Sequence, residues 1–329
     1  MATGTPYVTP QIIQNAPTGV SWDIIPSPGA VGASVNAELT NICWRATSQV
    51  DRFCRQVLRS TLAVEYLNGP GMPRCNVDGN TGNGVLQARR WPVTEVLAIQ
   101  LSSSRAFPRV WTPVTSGQWD IRHPLISIGD SASATAPDGG WTIDIAPGWI
   151  TWGGCGRGIP TPNGWWRGGG GRGGLRVQLA YFNGWPHTSL TEAVSDDETV
   201  LSVDDVTGWT GASGFAYDGA ATEPLFVESV SATNPITLPN NAGTVQAGPG
   251  TITLSSPLNF PHQDGVLISA LPADVMQAAI LACSMQALEG GIDAITIQDV
   301  SGGHSSTGMD TDAMAKMFAE KLGDYRRVM

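Results

Sequence analysis

At 329 residues and 34.6 kDa, the chain has room for one large domain or two unequal ones, and can bury a core without disulfide or metal staples. Glycine (40) and proline (23) make up nearly a fifth of it and only 14% is charged, which favours a turn-rich β protein over a helical bundle, while twelve tryptophans argue against disorder. Residues 1–190 carry 14 Arg against 10 acids, residues 191–329 carry 4 bases against 18 acids, and no Lys or Arg lies between Arg176 and Lys316, which speaks against gripping nucleic acid as the main task.

Residues 1–33 are punctuated by Pro6, Pro10, Pro17, Pro26 and Pro28, so they cannot form one continuous helix and are expected to be an extended arm. Tyr7, Ile12, Ile13, Trp22, Ile24 and Ile25 are more apolar than a free tail needs. The start, MATGTPYVTPQ, has neither a basic nor an apolar leader segment, and a reduced, cytosolic site of synthesis is expected. The five cysteines show no CxxC and no paired Cys/His spacing. Cys43, Cys54 and Cys283 fall on apolar helical faces and are expected in the core.

A helix is predicted from about Ser34 to Arg59, because Val35, Leu39, Ile42, Ala46, Val50, Phe53 and Val57 recur at three- and four-residue steps. Ser34 suits its N-cap. Arg45, Asp51, Arg52, Arg55 and Arg59 fall largely on the other face. Thr61–Leu67 alternates as a strand, and GPGMP at 69–73 forces a turn. Short strands follow at Val85–Arg89, Val93–Leu101, Val110–Val114, Trp119–Ile121, Leu125–Ile128, Trp141–Ile145 and Leu175–Tyr181. Their proline spacing implies a sandwich or barrel.

Residues 153–174 hold eleven glycines together with Arg157, Trp165, Trp166, Arg167 and Arg172, and are expected as a long loop. Residues 191–269 alternate cleanly and are predicted to be an inserted small β domain. Pro272–Leu288 and Asp310–Leu322 are predicted helices, each followed by glycine where a C-cap favours positive φ. The first of these two is interrupted by Gln277, Ser284 and Gln286, so it is a core helix and not a membrane span. The fold expected is α+β, with N- and C-terminal helices packed with an antiparallel β-sandwich or barrel region: after the 1–33 arm, a helix plus β domain (34–190), an inserted small β-barrel domain (191–269) and C-terminal helices with a tail (270–329).

Each candidate for chemistry lacks a required group. GGGGRGG at 168–174 is followed by Leu175-Arg176-Val177, not by the Lys-Ser/Thr and helix of a phosphate loop. Gly129-Asp130-Ser131 resembles a hydrolase nucleophile block, but His123 and His187 sit beside prolines in turn contexts, and no base is identified for Ser131. Asp196, Asp197, Glu198, Asp204 and Asp205 lack calcium-loop spacing and read as a solvated hairpin rim. His304 is a lone histidine in a loop. Trp165 and Trp166 among Arg157, Arg167 and Arg172 have the composition of an interface anchor, a protein partner being preferred to stacking on bases or sugars.

Two stretches then carry a resemblance. The helix ICWRATSQVDRFCRQVLRST, with Ala46, Thr47, Val50, Asp51, Phe53 and Cys54 in an A-T-x-x-V-D-x-[FY]-C pattern, leads to AVEYLNGPG and to LQARRWPVTEVLAIQLSSS, with Pro92, Val93 and Val96. This order resembles the head–tail adaptor (connector) proteins of tailed bacteriophages. WDIRHPLISI, APDGGWTIDIAPGWITW and FNGWPHTSLT are similar to larger members, and the 191–269 segment resembles a small β-barrel module of virion proteins. The resemblance covers roughly residues 34–300.

The resemblance implies a structural protein and not an enzyme, made in the host cytoplasm and resident in the virion. It implies a homo-oligomeric ring, commonly dodecameric, between the portal protein and a tail or tail-completion protein. DNA would be passing cargo only; no catalytic residue, cofactor, metal or membrane contact is implied. In that family a chain end docks on the portal, which points to Tyr325, Arg326, Arg327 and Met329. The alternatives are another virion protein whose β insert binds glycans, and a serine hydrolase using Ser131.

Overall fold

A computed structural model of the chain describes residues 4–20, 22, 35–68, 75–77, 84–102, 109–114, 119–122, 142–145, 176–219, 221–289 and 311–326. Helices and antiparallel sheets are combined, the α+β class that the patterning predicts. The described residues fall into two compact units: one drawn from Met1–Arg59, Trp185–Thr233 and Gly248–Arg327, the other from Ser60–Gly184 and Asn234–Ala247.

The first unit has a helical core. Its arm is not extended throughout: α1 (Pro10–Asn15) is a short helix with the Thr9 hydroxyl accepting from the Ile12 amide at 3.4 Å. Pro10 fits the first turn because it has no amide to lose and its φ is preset. α2 (Val35–Cys54) buries Leu39, Ile42, Cys43, Ala46, Val50 and Cys54 along one stripe. It stops short of Arg59 because Arg55 turns left-handed (φ 57°) and the Gln56 amide closes the end on the Asp51 carbonyl at 3.1 Å.

α3 (Ala273–Glu289) is apolar nearly all round, with Val275, Ala278, Ala279, Ala282 and Cys283 buried, and lies at the centre of this core. α4 (Thr311–Leu322) is amphipathic and buries Met314, Phe318 and Leu322 at four-residue steps. Phe318 meets Phe53 of α2 edge-on at 5.3 Å. Each of these large side chains stabilises the unit by about 1.5–3 kcal/mol through burial. Among the described residues no helix is long and apolar enough to cross a membrane.

The second unit is built on β1 (Thr61–Asn68), β4 (Val93–Ser102), β5 (Thr112–Pro113) and β8 (Arg176–Asn183), in the order β1-β8-β4-β5. A second sheet joins β2 (Cys75–Val77), β3 (Gly84–Gln87), β6 (Trp119–Arg122) and β7 (Thr142–Ile145), in the order β2-β3-β7-β6. β8 is buried on both faces, which explains its near-continuous run VQLAYF. Val177, Leu179 and Tyr181 enter a core with Leu67, Leu86 and Ile99. Ala180 and Phe182 point the other way, onto Leu238, Val245 and Ala247.

Leu238 and Val245 belong to a hairpin, β13 (Ile236–Thr237) and β14 (Thr244–Val245), with Ala247 just beyond it, that the sequence pattern includes in the 191–269 insert. It is fastened by amides: Gln178 donates to the Pro239 carbonyl at 3.1 Å and accepts from Asn240, and Gln100 donates to the Asn240 carbonyl at 3.2 Å.

The rest of the insert joins the first unit as a six-stranded antiparallel sheet. Its strands are β9 (His187–Ser189), β10 (Val200–Val203), β11 (Ser213–Tyr217), β12 (Glu223–Ala232), β15 (Gly250–Leu254) and β16 (Leu267–Ser269). They run in the order β10-β15-β12-β11-β16-β9. The sheet curls until its two edges meet: Leu190 bridges Val203, the Thr191 amide donates to the Ser202 carbonyl at 3.0 Å, and the Asp204 amide to the Ser189 carbonyl at 3.1 Å. Its interior is filled by Leu201, Val203, Trp209, Leu225, Ile252 and Ile268 among others. Gly250 allows a close approach of β15 to β12, since a Cβ there would lie 2.1 Å from the Ser231 carbonyl oxygen.

Candidate functional site

α2 offers two different faces. The inner face receives the N-terminal arm. The Thr47 hydroxyl accepts from the Tyr7 amide at 2.9 Å, and the Tyr7 hydroxyl donates to the Asp51 carboxylate and accepts from the Leu58 amide at 2.8 Å. Tyr7, Val8, Ile13, Val20 and Trp22 are all buried against this core. Of the pattern residues, Thr47 and Asp51 thus seat the arm, while Ala46, Val50 and Cys54 belong to the same buried core. Burial pushes the Asp51 carboxyl up to about 6 against the lowering effects of Tyr7, the Leu58 amide and nearby Arg59.

His187 holds the same arm from the other side. It lies in strand β9 and not in the turn that its neighbouring proline suggests. Its Nε2 donates to the Pro6 carbonyl at 2.9 Å and its Nδ1 pairs with the Ser269 hydroxyl at 2.9 Å. Burial lowers its pKa to about 4, so the ring is neutral at pH 7. Thr5 shares a hydrogen bond of 3.1 Å with Ser189, whose hydroxyl donates to Asp204 at 2.8 Å. Both His187 nitrogens are occupied by structural bonds, which leaves neither free to act as a base.

The outer face of α2 is solvent-facing. Trp44, Ser48 and Arg52 follow one another at helical steps, with Arg45 alongside, and Arg55 stands in the turn just past the helix end. Arg45 pairs with Glu38 at 2.7 Å and reaches Gln286 at 3.3 Å. Arg52 and Arg55 are exposed and have no hydrogen-bond or ion-pair partner among the described residues. Trp44 is half-buried, with the Arg59 guanidinium 6.0 Å from its ring. Trp44, Arg45, Ser48, Gln49 and Arg52 line a shallow depression.

The curled sheet presents the contrasting surface. Phe215 pairs with Pro224 and Ser213 with Phe226 across β11 and β12, which puts both phenylalanines on the outward face while Ala216, Leu225 and Val227 point inward. Phe215 is 46% exposed and Phe226 55%. Glu228 continues the same outward row. Glu192, Asp196, Asp197, Glu198, Asp218 and Asp264 add to the acidic character of this module, which holds no Lys or Arg.

Several of its acids have local tasks. Asp205 accepts from the Thr207 and Gly248 amides at 2.9 and 3.1 Å, and Glu198 caps the Ser195 amide at 2.9 Å. Beneath this surface is an unpredicted hydrogen-bonded cluster around buried His262 and Glu223. His262 bridges Glu223 at 2.8 Å and Asp218 at 3.1 Å, and Asn259 donates to Glu223 through its backbone and side-chain nitrogens, both at 2.9 Å. Burial alone would raise the Glu223 pKa, but the Asn259, His262 and Phe260 bonds outweigh it and hold the carboxyl below its ordinary value. Gln11 of α1 donates to Asp218 at 2.9 Å, tying the arm to this turn. No group of three or more His, Cys, Asp or Glu suited to a metal occurs among the described residues.

Of the residues that the sequence singles out for partners, Tyr325 and Arg326 are described. Tyr325 meets Trp185 edge-on at 5.5 Å and its carbonyl accepts from Gln56 at 3.4 Å, while exposed Arg326 lies 5.6 Å over the Phe53 ring. Arg157, Trp165, Trp166, Arg167, Arg172, Arg327 and Met329 lie outside the described residues, as do Ser131, His123, His304, the 69–73 turn and the strand expected at Leu125–Ile128. No family model, curated protein or solved structure matches the chain.

Proposed function

We propose that the chain is a head–tail adaptor of a tailed bacteriophage, a virion structural subunit that works in a homo-oligomeric ring between the portal and the tail and lets DNA pass without holding it. One observation carries this reading. A single compact unit exposes an arginine-and-tryptophan helix face and a separate aromatic, acidic sheet face that holds no Lys or Arg. A ring is built from heterologous contacts, each needing two unlike and mutually complementary surfaces on the same subunit. The acidic module also suits a channel through which a polyanion slides, because it offers no cations to displace counterions.

The test is electron microscopy of the purified chain alone and mixed with the portal protein of the same virion. Closed rings, free or seated on the portal, are the expected result. A chain that stays monomeric in both conditions refutes the reading. Esterase activity lost in Ser131→Ala would favour the hydrolase instead.

A further inference from the structure

We propose that neighbouring copies of this chain meet head to tail, the Phe215–Phe226 face of the curled sheet on one copy seated on the surface that Trp44 and Arg52 of α2 form with Arg55, just past its end, on the next. The inference rests on the ring reading above and specifies the contact that the ring uses.

The sheet face has the makings of an interface core. Two exposed phenylalanines lie on adjacent strands with Pro224 between them, and Tyr217 packs against Phe215 at 6.0 Å. Aromatic side chains of this kind are enriched at interface centres, ringed by polar groups that exclude water. Of the exposed polar neighbours, Ser213 lies opposite Phe226 and Glu228 stands in the same row, so the charge on this face is negative, and the module holding it has no Lys or Arg between Arg176 and Lys316. Its occupant is therefore cationic, with apolar surface of its own.

This chain carries such a surface. Arg52 and Arg55 are exposed without partners among the described residues, and half-buried Trp44 lines one depression with Arg52. Within one copy the two faces do not meet, since Phe215, Phe226, Arg52 and Arg55 are all exposed. Complementary surfaces that cannot pair within a copy pair between copies. Two unlike faces joined in this way repeat from subunit to subunit and close into a ring when the rotation allows. Opposite charge also speeds encounter and sets register, so assembly should weaken as salt rises.

The test uses the full chain, by mass photometry and sedimentation, under the conditions in which the wild type forms rings. One variant breaks the helix face (Arg52→Glu with Arg55→Glu). A second breaks the sheet face (Phe215→Ser with Phe226→Ser). All four residues are exposed, and unchanged melting temperatures confirm that each variant folds. Each variant alone is expected to need about 30-fold or more higher concentration to assemble, the loss that follows removal of an interface hot spot.

Mixed in equal amounts, the two variants should form heterodimers and stop there, because only one intact pair of faces remains. Either variant alone forming rings like the wild type overturns this contact and leaves the ring reading standing, as does a mixture that stays monomeric. A sheet-face variant that assembles normally but loses binding to a polysaccharide or a tail protein assigns that face to a different occupant and overturns the proposal. A wild type that never forms rings, alone or on the portal, fails the functional reading itself.

Discussion

Replacing Asp51 by Asn exposes a pH dependence that the native chain conceals. The folded-state pKa of Asp51 is about 6, above its ordinary value of about 3.9, so the folded protein keeps this proton longer than the unfolded chain does. The resulting stability is complete below pH ~4 and is lost as pH rises to about 6; at roughly 1.4 kcal/mol per pH unit this is about 3 kcal/mol. His187 has the opposite sign. Its folded-state pKa of about 4 lies below the ordinary ~6.5, so the unfolded chain takes that proton first, and about 3 kcal/mol is gained between pH 4 and 6.5. Both side chains hold the same arm, through Tyr7 and Pro6, and their slopes nearly cancel. In Asp51→Asn the amide oxygen still accepts from Tyr7, and only the His187 slope remains. Urea unfolding of variant and wild type from pH 4 to 6.5 should show their difference in stability moving by about 3 kcal/mol in favour of the variant. Other carboxyls, including Glu38 and Glu223, cancel in that difference. A difference independent of pH would refute the assignment of Asp51 as a buried, reluctant carboxylate.

Three further perturbations address other parts of the fold. Gly250→Ala puts a methyl group 2.1 Å from the Ser231 carbonyl, against backbone that cannot swing aside, and should cost about 3 kcal/mol, read as a lower melting temperature. Gln178→Leu removes the partners of Pro239 and Asn240 beneath the β13–β14 hairpin; a loss of about 2 kcal/mol is expected, with hydrogen exchange quickening first at residues 236–245. His262→Ala removes one of the four hydrogen bonds that hold the buried Glu223 carboxylate, and leaves a cavity; it should cost about 2 kcal/mol, with the curled sheet loosening before the helical core. Unchanged melting of this last variant would show that Asn259 and Phe260 alone satisfy the carboxylate.

Local periodicity made much of the architecture readable. The stripe Leu39, Ile42, Ala46, Val50 announces α2, and the apolar run around Ala278 to Cys283 announces a central helix. β8 is legible in VQLAYF because a strand buried on both faces cannot alternate. What escaped depends on contacts between residues distant in sequence. α2 ends on Arg55 in a left-handed conformation, where no glycine marks the stop. The hairpin at 236–245 carries the same alternation as its neighbours, and only the amides of Gln100 and Gln178 reveal where it docks. The closure of the curled sheet rests on Leu190 meeting Val203, a pairing that no local pattern encodes. His262 gave no sign of its role, since Asp218 and Glu223 reach it from 44 and 39 positions away.

The two faces of α2 separate two questions that the sequence runs together. Thr47 and Asp51, from the A-T-x-x-V-D-x-[FY]-C pattern, point inward and bind the chain's own arm. They speak to how the first unit is built and say nothing of what it binds. In the proposed ring, the contacts between copies would fall to residues outside that pattern: Trp44 and Arg52 on the outer face, Arg55 just past the helix end, and Phe215 and Phe226 on the sheet. Changes at Thr47 or Asp51 should therefore move stability and its pH dependence while sparing the salt dependence of assembly. Changes at Arg52 or Phe226 should do the reverse, because an exposed side chain contributes little to the fold and much to a contact that buries it.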